Sequence, residues 1–252
     1  MQMESIKDNS ILNFMKFAVV TLCTEDWREF AEVTDANKKE YCDRHDYYFR
    51  PKCGEPFHTR FHYGNPEKKE MGWEWGFERA FAFRDAFEAH TDCDWVYFSD
   101  TDAMITNHTR TLDKIVDNRY HVILAADING TNCGNLFIRN SEIGRAFVNS
   151  MIGAMPAYRD NPMAENQWIQ EMATATYWKK YIKITPQRMF NAYDYTLYQF
   201  PKFTGTKDIL GVDGQWQTGD FALHIVGGMA MDKKTLAERI SIAKSYLEKV
   251  VK

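Results

Sequence analysis

Two aspartates in the segment Asp94–Asn107, DWVYFSDTDAMITN, are the residues best placed by type and spacing to do chemistry. Four apolar residues and a serine lead into Asp100 and Asp102, spaced i and i+2. If the extended conformation persists, both carboxylates point to the same side. They then stand at the carboxyl end of a strand, where open α/β sheets bind ligands. Two carboxylates on one side repel each other unless a cation neutralises them, so a divalent metal is expected there. The alternative is a polar turn that only closes the strand. Asp92-Cys93-Asp94 has the same spacing but precedes the strand, so it is position rather than spacing that singles out Asp100 and Asp102.

Other chemistries leave no mark. None of the 14 glycines stands in G-x-G spacing, and the P-loop, H-E-x-x-H and G-x-S-x-G patterns are absent. Phosphatases of the haloacid-dehalogenase type also carry D-x-D after an apolar strand, usually near the N-terminus and followed by Gly and then Thr or Val. Here Ala103 and Met104 follow, so an aspartate nucleophile is the disfavoured alternative.

The elements that must position these residues read as alternating strands and helices. Lys16–Leu22, Asp46–Arg50, Trp95–Ser99, Val122–Ala126, Leu136–Arg139, Tyr181–Thr185 and Phe221–Val226 are predicted strands. Helices are predicted from Trp27 to His45 and over Trp73–Ala89, Ser141–Ile152, Ala164–Thr176 and Lys233–Val250. Everything from Tyr193 to Asp220 is irregular. This alternation predicts an α/β fold with a mainly parallel central sheet. No repeat or linker divides the 252 residues, so one domain is expected, with residues 1–15 as a leader and 229–252 as a closing helical segment.

Composition narrows the partners. Hydrophobic residues at 44% and charged residues at 26% exclude a mostly disordered chain. Lys and Arg total 31 against 35 Asp and Glu, which argues against general nucleic-acid binding. Five cysteines, none in C-x-x-C, suggest neither a disulfide framework nor a zinc knuckle, and a reducing compartment is expected. The longest apolar run, Phe17–Cys23, is far short of the roughly 20 residues of a membrane span. The N-terminus lacks a signal-peptide core. A soluble, cytoplasmic protein is the expectation.

Further blocks, in order, are NKKEYCDRHDYYF (Asn37–Phe49), DINGTNCGNLFIRNS (Asp127–Ser141), Glu165-Asn166-Gln167, PQRMFNAY (Pro186–Tyr193) and GDFALHIVGG (Gly219–Gly228). Together they resemble the galactosyltransferase/xylosyltransferase family that includes fungal mannan galactosyltransferases and plant xyloglucan xylosyltransferases, over about Lys16 to Gly228. The resemblance implies a GT-A fold, a Rossmann-like domain that binds a nucleotide-sugar across a divalent metal and retains the donor's anomeric configuration. UDP-galactose, UDP-xylose or UDP-glucose would be the donor, and a glycan or other hydroxyl compound the acceptor.

Carried over residue by residue, the resemblance makes Asp100, Asp102 and His224 the metal ligands. Carboxylates with an imidazole suit Mn²⁺ better than Ca²⁺, with Mg²⁺ as an alternative. Thr21, Leu22 and Cys23, with Thr101, fall where the family cradles the nucleotide. Arg79 and Arg84 are candidates for the diphosphate, and solvated helix arginines are the alternative. Asp127, Asn129, Asn132 and Gly134 fall where the donor sugar is bound, although Asn129-Gly130 is also a generic turn signal. Glu165, Asn166 and Gln167 match the segment beside the anomeric carbon. The family often has an acidic residue where Asn166 stands, and a basic residue near Met229 that Lys233 or Lys234 would have to replace. An amide cannot be a covalent nucleophile, which leaves front-face displacement, or a binding protein without turnover. Tyr195 and Trp216 are the acceptor candidates among the aromatics; Trp73, Trp75, Tyr193 and Tyr198 are alternatives.

Overall fold

The computed structural model describes residues 15–54, 58, 73–158, 161, 163–198, 205–226 and 234–252; for residues 73–75 it describes the backbone alone. The first strand, β1 (Phe17–Cys23), is a seven-residue run buried along its whole length. Such a run suits a strand covered on both faces. It pairs in parallel with β2 (Tyr48–Cys53) on one side and with β3 (Trp95–Ser99) on the other. The sheet continues through β6 (Gly130–Arg139), β5 (Val122–Asp127) and β7 (Ile182–Thr185), in the order β2-β1-β3-β6-β5-β7. β6 runs antiparallel to both β3 and β5, whereas β5 and β7 are parallel. The sheet is therefore mixed but mostly parallel.

The reversed strand is what builds the site. Its register pairs Ser99 with Asn135 and Asp127 with Gly130. The amino end of β6 thus lies at the same edge as the carboxyl ends of β1, β3 and β5. A separate two-stranded ribbon pairs β4 (Ala103–Ile105) with β8 (Ala222–His224), and Ala103 faces His224. Sequence periodicity did not indicate β4, which has only three residues.

Helices α2 (Trp73–Ala89), α3 (Glu142–Ala154) and α4 (Ala164–Thr174) supply Phe77, Phe81, Phe147 and Trp168 to a core on one face of the sheet. Tyr41 and Cys42 of α1 (Arg28–His45) pack in the cluster on the opposite face. A third cluster joins the β4–β8 ribbon to α5 (Leu236–Leu247) through Leu223, Ala243 and Tyr246. A capping box starts α5: Thr235 Oγ1 accepts from Glu238 N, and the Glu238 carboxylate accepts from Thr235 N.

One expectation is corrected here. Cys23 and Cys53 form a disulfide, with a Cα–Cα distance of 4.6 Å. They end adjacent parallel strands in direct register, 30 residues apart in sequence. Such a pairing comes from strand alignment and has no spacing signature. Among the described residues, no helix is long and apolar enough to cross a membrane.

Candidate active site

A cavity of about 590 Å³ opens at the carboxyl edge of the sheet. Its floor is the turn Asp100–Thr101–Asp102, fixed from several directions. Asp100 N donates to Gly134 O at 2.7 Å, Ile225 N donates to Asp102 O at 2.7 Å, and Thr101 Oγ1 donates to Leu22 O. One ligand atom from each of Asp100, Asp102 and His224 lies within 4.8 Å of the others. His224 Nε2 is 3.0 Å from Asp102 Oδ1, and Nδ1 is 2.8 Å from Asn191 Oδ1.

These three residues fit a divalent metal. Two carboxylates and an imidazole are a suitable mixed donor set. Gly134 keeps the space between them open: a Cβ there would lie 2.5 Å from His224 Cε1 and 2.7 Å from Asp100 Oδ2. The electrostatics also call for a cation. Burial raises the Asp100 carboxyl to about 6; Arg79 opposes the rise and Asp102 adds to it. Burial works against protonation of His224, but Asp102 and then Asp100 outweigh it and leave the imidazole above its usual range.

Arg79, on α2, is the resident positive charge. Its Nη2 lies 3.3 Å from both Asp100 Oδ1 and Glu165 Oε1, Nη1 donates to Cys133 O, and Nε donates to Gly76 O at 3.1 Å. The Glu165 carboxylate packs directly over Gly76, where a Cβ would lie 1.6 Å from Oε2. Asn166 Oδ1 accepts from Cys133 N at 3.2 Å. Ala164, just before these two, holds φ at 41°, in the left-handed region that a residue with a Cβ rarely adopts.

A smaller cavity of about 130 Å³ adjoins the first and shares Asn132, Met163, Asn166 and Val226 with it. Asp127, Ile128, Asn129, Tyr193, Tyr195 and Tyr198 line the rest. Asp127 Oδ2 accepts from Asn132 Nδ2 and from the Tyr193 hydroxyl, both at 3.1 Å.

Most of the residues singled out from sequence meet here. Leu22, Cys23, Arg79, Thr101, Asn132, Gly134, Glu165 and Asn166 line the larger cavity together with the three ligand candidates. Four do not. Thr21 is buried behind the cavity and accepts from Lys38 Nζ at 3.3 Å. Arg84 lies five residues from Arg79, about 140° around a helix, and its guanidinium sits over the Phe81 ring. Gln167 Nε2 donates to Glu171 at 2.9 Å outside the cavity lining. Trp216, expected at the acceptor, is 7% exposed, with its ring against Tyr246 and its N–H on Thr106 Oγ1. The side chains of Trp73 and Trp75, and Met229 and Lys233, lie outside the described residues. Lys234 is not among the lining residues. Sequence reasoning assigned no role to Lys38, Asn191 or Cys133, although all three stand in the quoted blocks.

The sheet order, the reversed strand and the acidic turn at its edge define a GT-A glycosyltransferase fold. A glycosyltransferase involved in glycosylation of the major capsid of PBCV-1 superposes with a TM-score of 0.59 at 14% identity, covering 90% of this chain and 99% of that one. Galactosyltransferase LgtC, in complex with donor and acceptor sugar analogs, gives 0.56 at 13% identity, covering 92% and 95%. The chain belongs to the galactosyl transferase GMA12/MNN10 family, whose sequence pattern matches residues 11–119 and 114–234. It is 26% identical over 238 residues to an alpha-1,2-galactosyltransferase of Schizosaccharomyces pombe, covering 79% of this chain and 56% of the relative. The chain thus spans little more than half the length of that relative.

Proposed function

We propose that the protein is a metal-dependent, retaining glycosyltransferase that moves a hexose or pentose from a UDP-sugar to an acceptor hydroxyl, forming an α-glycosidic bond. The observation that carries this reading is the convergence of Asp100, Asp102 and His224 on the cavity floor beside the buried Arg79. When bound there, Mn²⁺, or Mg²⁺ in its place, supplies charge that holds a diphosphate and stabilises the leaving group.

The chain's own groups divide the remaining work. Leu22 and Cys23 line the part assigned to the nucleotide. Arg79 already donates to Gly76, Cys133 and Asp100 and is ion-paired with Glu165, so it acts as a fixed positive charge more than as a mobile clamp. Asn166 has its amide oxygen taken by Cys133 N–H, leaving its nitrogen to donate to a sugar hydroxyl. Glu165 is engaged by Arg79 and position 166 is an amide, which supports a front-face displacement in which the leaving phosphate assists the incoming hydroxyl. Tyr195 and Tyr198 line the smaller cavity, the part assigned to the acceptor sugar.

Incubation with Mn²⁺ and a panel of nucleotide-sugars tests this reading. The description of the S. pombe relative puts UDP-galactose first in the panel. Release of UDP is expected. Binding without release would favour a nucleotide-sugar-binding protein, the reading that Asn166 motivates, and absence of binding would overturn both. Membership in this family leaves the phosphatase alternative without support.

A further inference from the structure

We infer that Asn191 is a positioning residue that decides which nitrogen of His224 is offered to the metal. The inference rests on the metal reading above. Asn191 Oδ1 is 2.8 Å from His224 Nδ1 and also accepts from Asn135 Nδ2 at 2.8 Å. The Tyr97 hydroxyl, on β3, donates in turn to Asn135 Oδ1 at 2.8 Å. Tyr97, Asn135 and Asn191 are 0% exposed and His224 is 3% exposed, so water does not compete for these bonds.

The direction of this chain determines the chemistry. With the Asn191 oxygen toward the ring, Nδ1 keeps its proton, and Nε2, 3.0 Å from Asp102 Oδ1, is the nitrogen that gives up a proton to offer its lone pair to the metal. With the amide reversed, Nδ1 would accept, Nε2 would carry the proton, and a protonated Nε2 cannot bind a metal.

The direction is fixed from both ends. At one end, the Tyr97 proton on Asn135 Oδ1 turns the Asn135 amide nitrogen toward Asn191. At the other, the Tyr193 hydroxyl donates to Asp127 Oδ2 at 3.1 Å. The Tyr193 oxygen is then an acceptor, 3.5 Å from Asn191 Nδ2. Both anchors point the amide nitrogen of Asn191 away from His224. The chain therefore ties the metal ligand to Asp127 in the smaller cavity and to the central sheet.

The test is Mn²⁺ affinity, read from the electron paramagnetic resonance signal of free Mn²⁺, with thermal denaturation alongside. Asn191→Leu removes the acceptor and should weaken Mn²⁺ binding about 10- to 100-fold, the usual cost of losing an outer partner of a ligating histidine. Asn191→Asp can accept from both Asn135 and His224, and should bind Mn²⁺ within about threefold of wild type or more tightly. If the amide had the reverse sense, it would hold Nε2 protonated in the wild type, and Asn191→Leu would bind Mn²⁺ more tightly than wild type. That outcome overturns the inference, as does wild-type affinity in Asn191→Leu. A purely structural role would lower the melting temperature without separating the two affinities. Should Asn191→Leu fail to fold, Asn191→Asp decides alone: a loss of Mn²⁺ affinity beyond about threefold overturns the inference. Absence of Mn²⁺ binding by the wild type would instead strike the metal reading itself.

Discussion

Lys38 Nζ donates to the main-chain oxygen of Asp100 at 2.8 Å from a side chain that is wholly buried. An ammonium group thus sits beneath the turn that carries both carboxylates. Burial pushes its pKa down, while Asp35, Asp102 and Asp100 oppose the shift. A buried charge is costly unless nearby groups compensate it, and here part of the compensation comes from the two candidate ligands. Lys38→Met should leave a folded protein whose Mn²⁺-dependent UDP release falls about tenfold or more, about 1.4 kcal/mol. Unchanged release would show that the turn holds its shape without Lys38.

Asp102→Asn should cost at least about 100-fold in UDP release at saturating donor, because it removes a charged ligand candidate. Asp92→Asn is the matched control, since Asp92 is an exposed partner of Lys16 at 2.5 Å. Exposed ion pairs contribute little, so that variant should keep near wild-type activity. Equal losses in the two variants would remove the site assignment.

Gly134→Ala would place a methyl group between His224 and Asp100. The expected result is a loss of Mn²⁺ affinity of about tenfold or more together with a lowered melting temperature, because Gly134 is buried and its neighbours must shift to admit the methyl group. Isothermal titration with Mn²⁺ reads it directly, and undiminished affinity would place the ion elsewhere.

Asn166→Asp keeps an oxygen to accept from Cys133 N and restores the acidic residue usual in the family. Activity should stay level or rise. A loss well beyond tenfold, about 1.4 kcal/mol, would mean that the neutral amide is needed at the sugar.

His108 provides the pH prediction. It is buried, and burial lowers its pKa from 6.5 to about 4; Glu40 opposes the shift, while Arg44 and Lys252 add to it. Between these two values the unfolded chain binds more protons at His108 than the folded one, so stability falls as pH is lowered through that window. His108→Gln should flatten the drop in melting temperature between pH 6.5 and 4. A slope identical to wild type would show that other groups set the acid sensitivity.

Much of the frame was legible because it depends on local pattern. The buried run of β1 and the helix Trp73–Ala89 follow from periodicity, and the D-x-D turn follows from its place after β3. What escaped was set by alignment of distant segments. Cys23 and Cys53 meet through parallel register, and β4 gains its identity only from pairing with β8. Trp216 looked loop-resident and is, yet the loop folds inward onto Tyr246. Gln167 and Asn166 are adjacent in sequence, about 100° apart on a helix, so only one of them lines the cavity. Asn191 could not be read because its importance lies in whom its oxygen faces.

The β4–β8 ribbon joins Asp102 to a histidine 122 residues further along the chain. During synthesis, at about 5–20 residues per second, the two carboxylates leave the ribosome on the order of ten seconds before their imidazole partner. Arg79 precedes them both in the chain and is already present to offset their charge. The growing polypeptide therefore carries an acidic half-site with its own resident counter-charge. It acquires a complete ligand set only after the late Gly219–Gly228 segment, GDFALHIVGG, has been made.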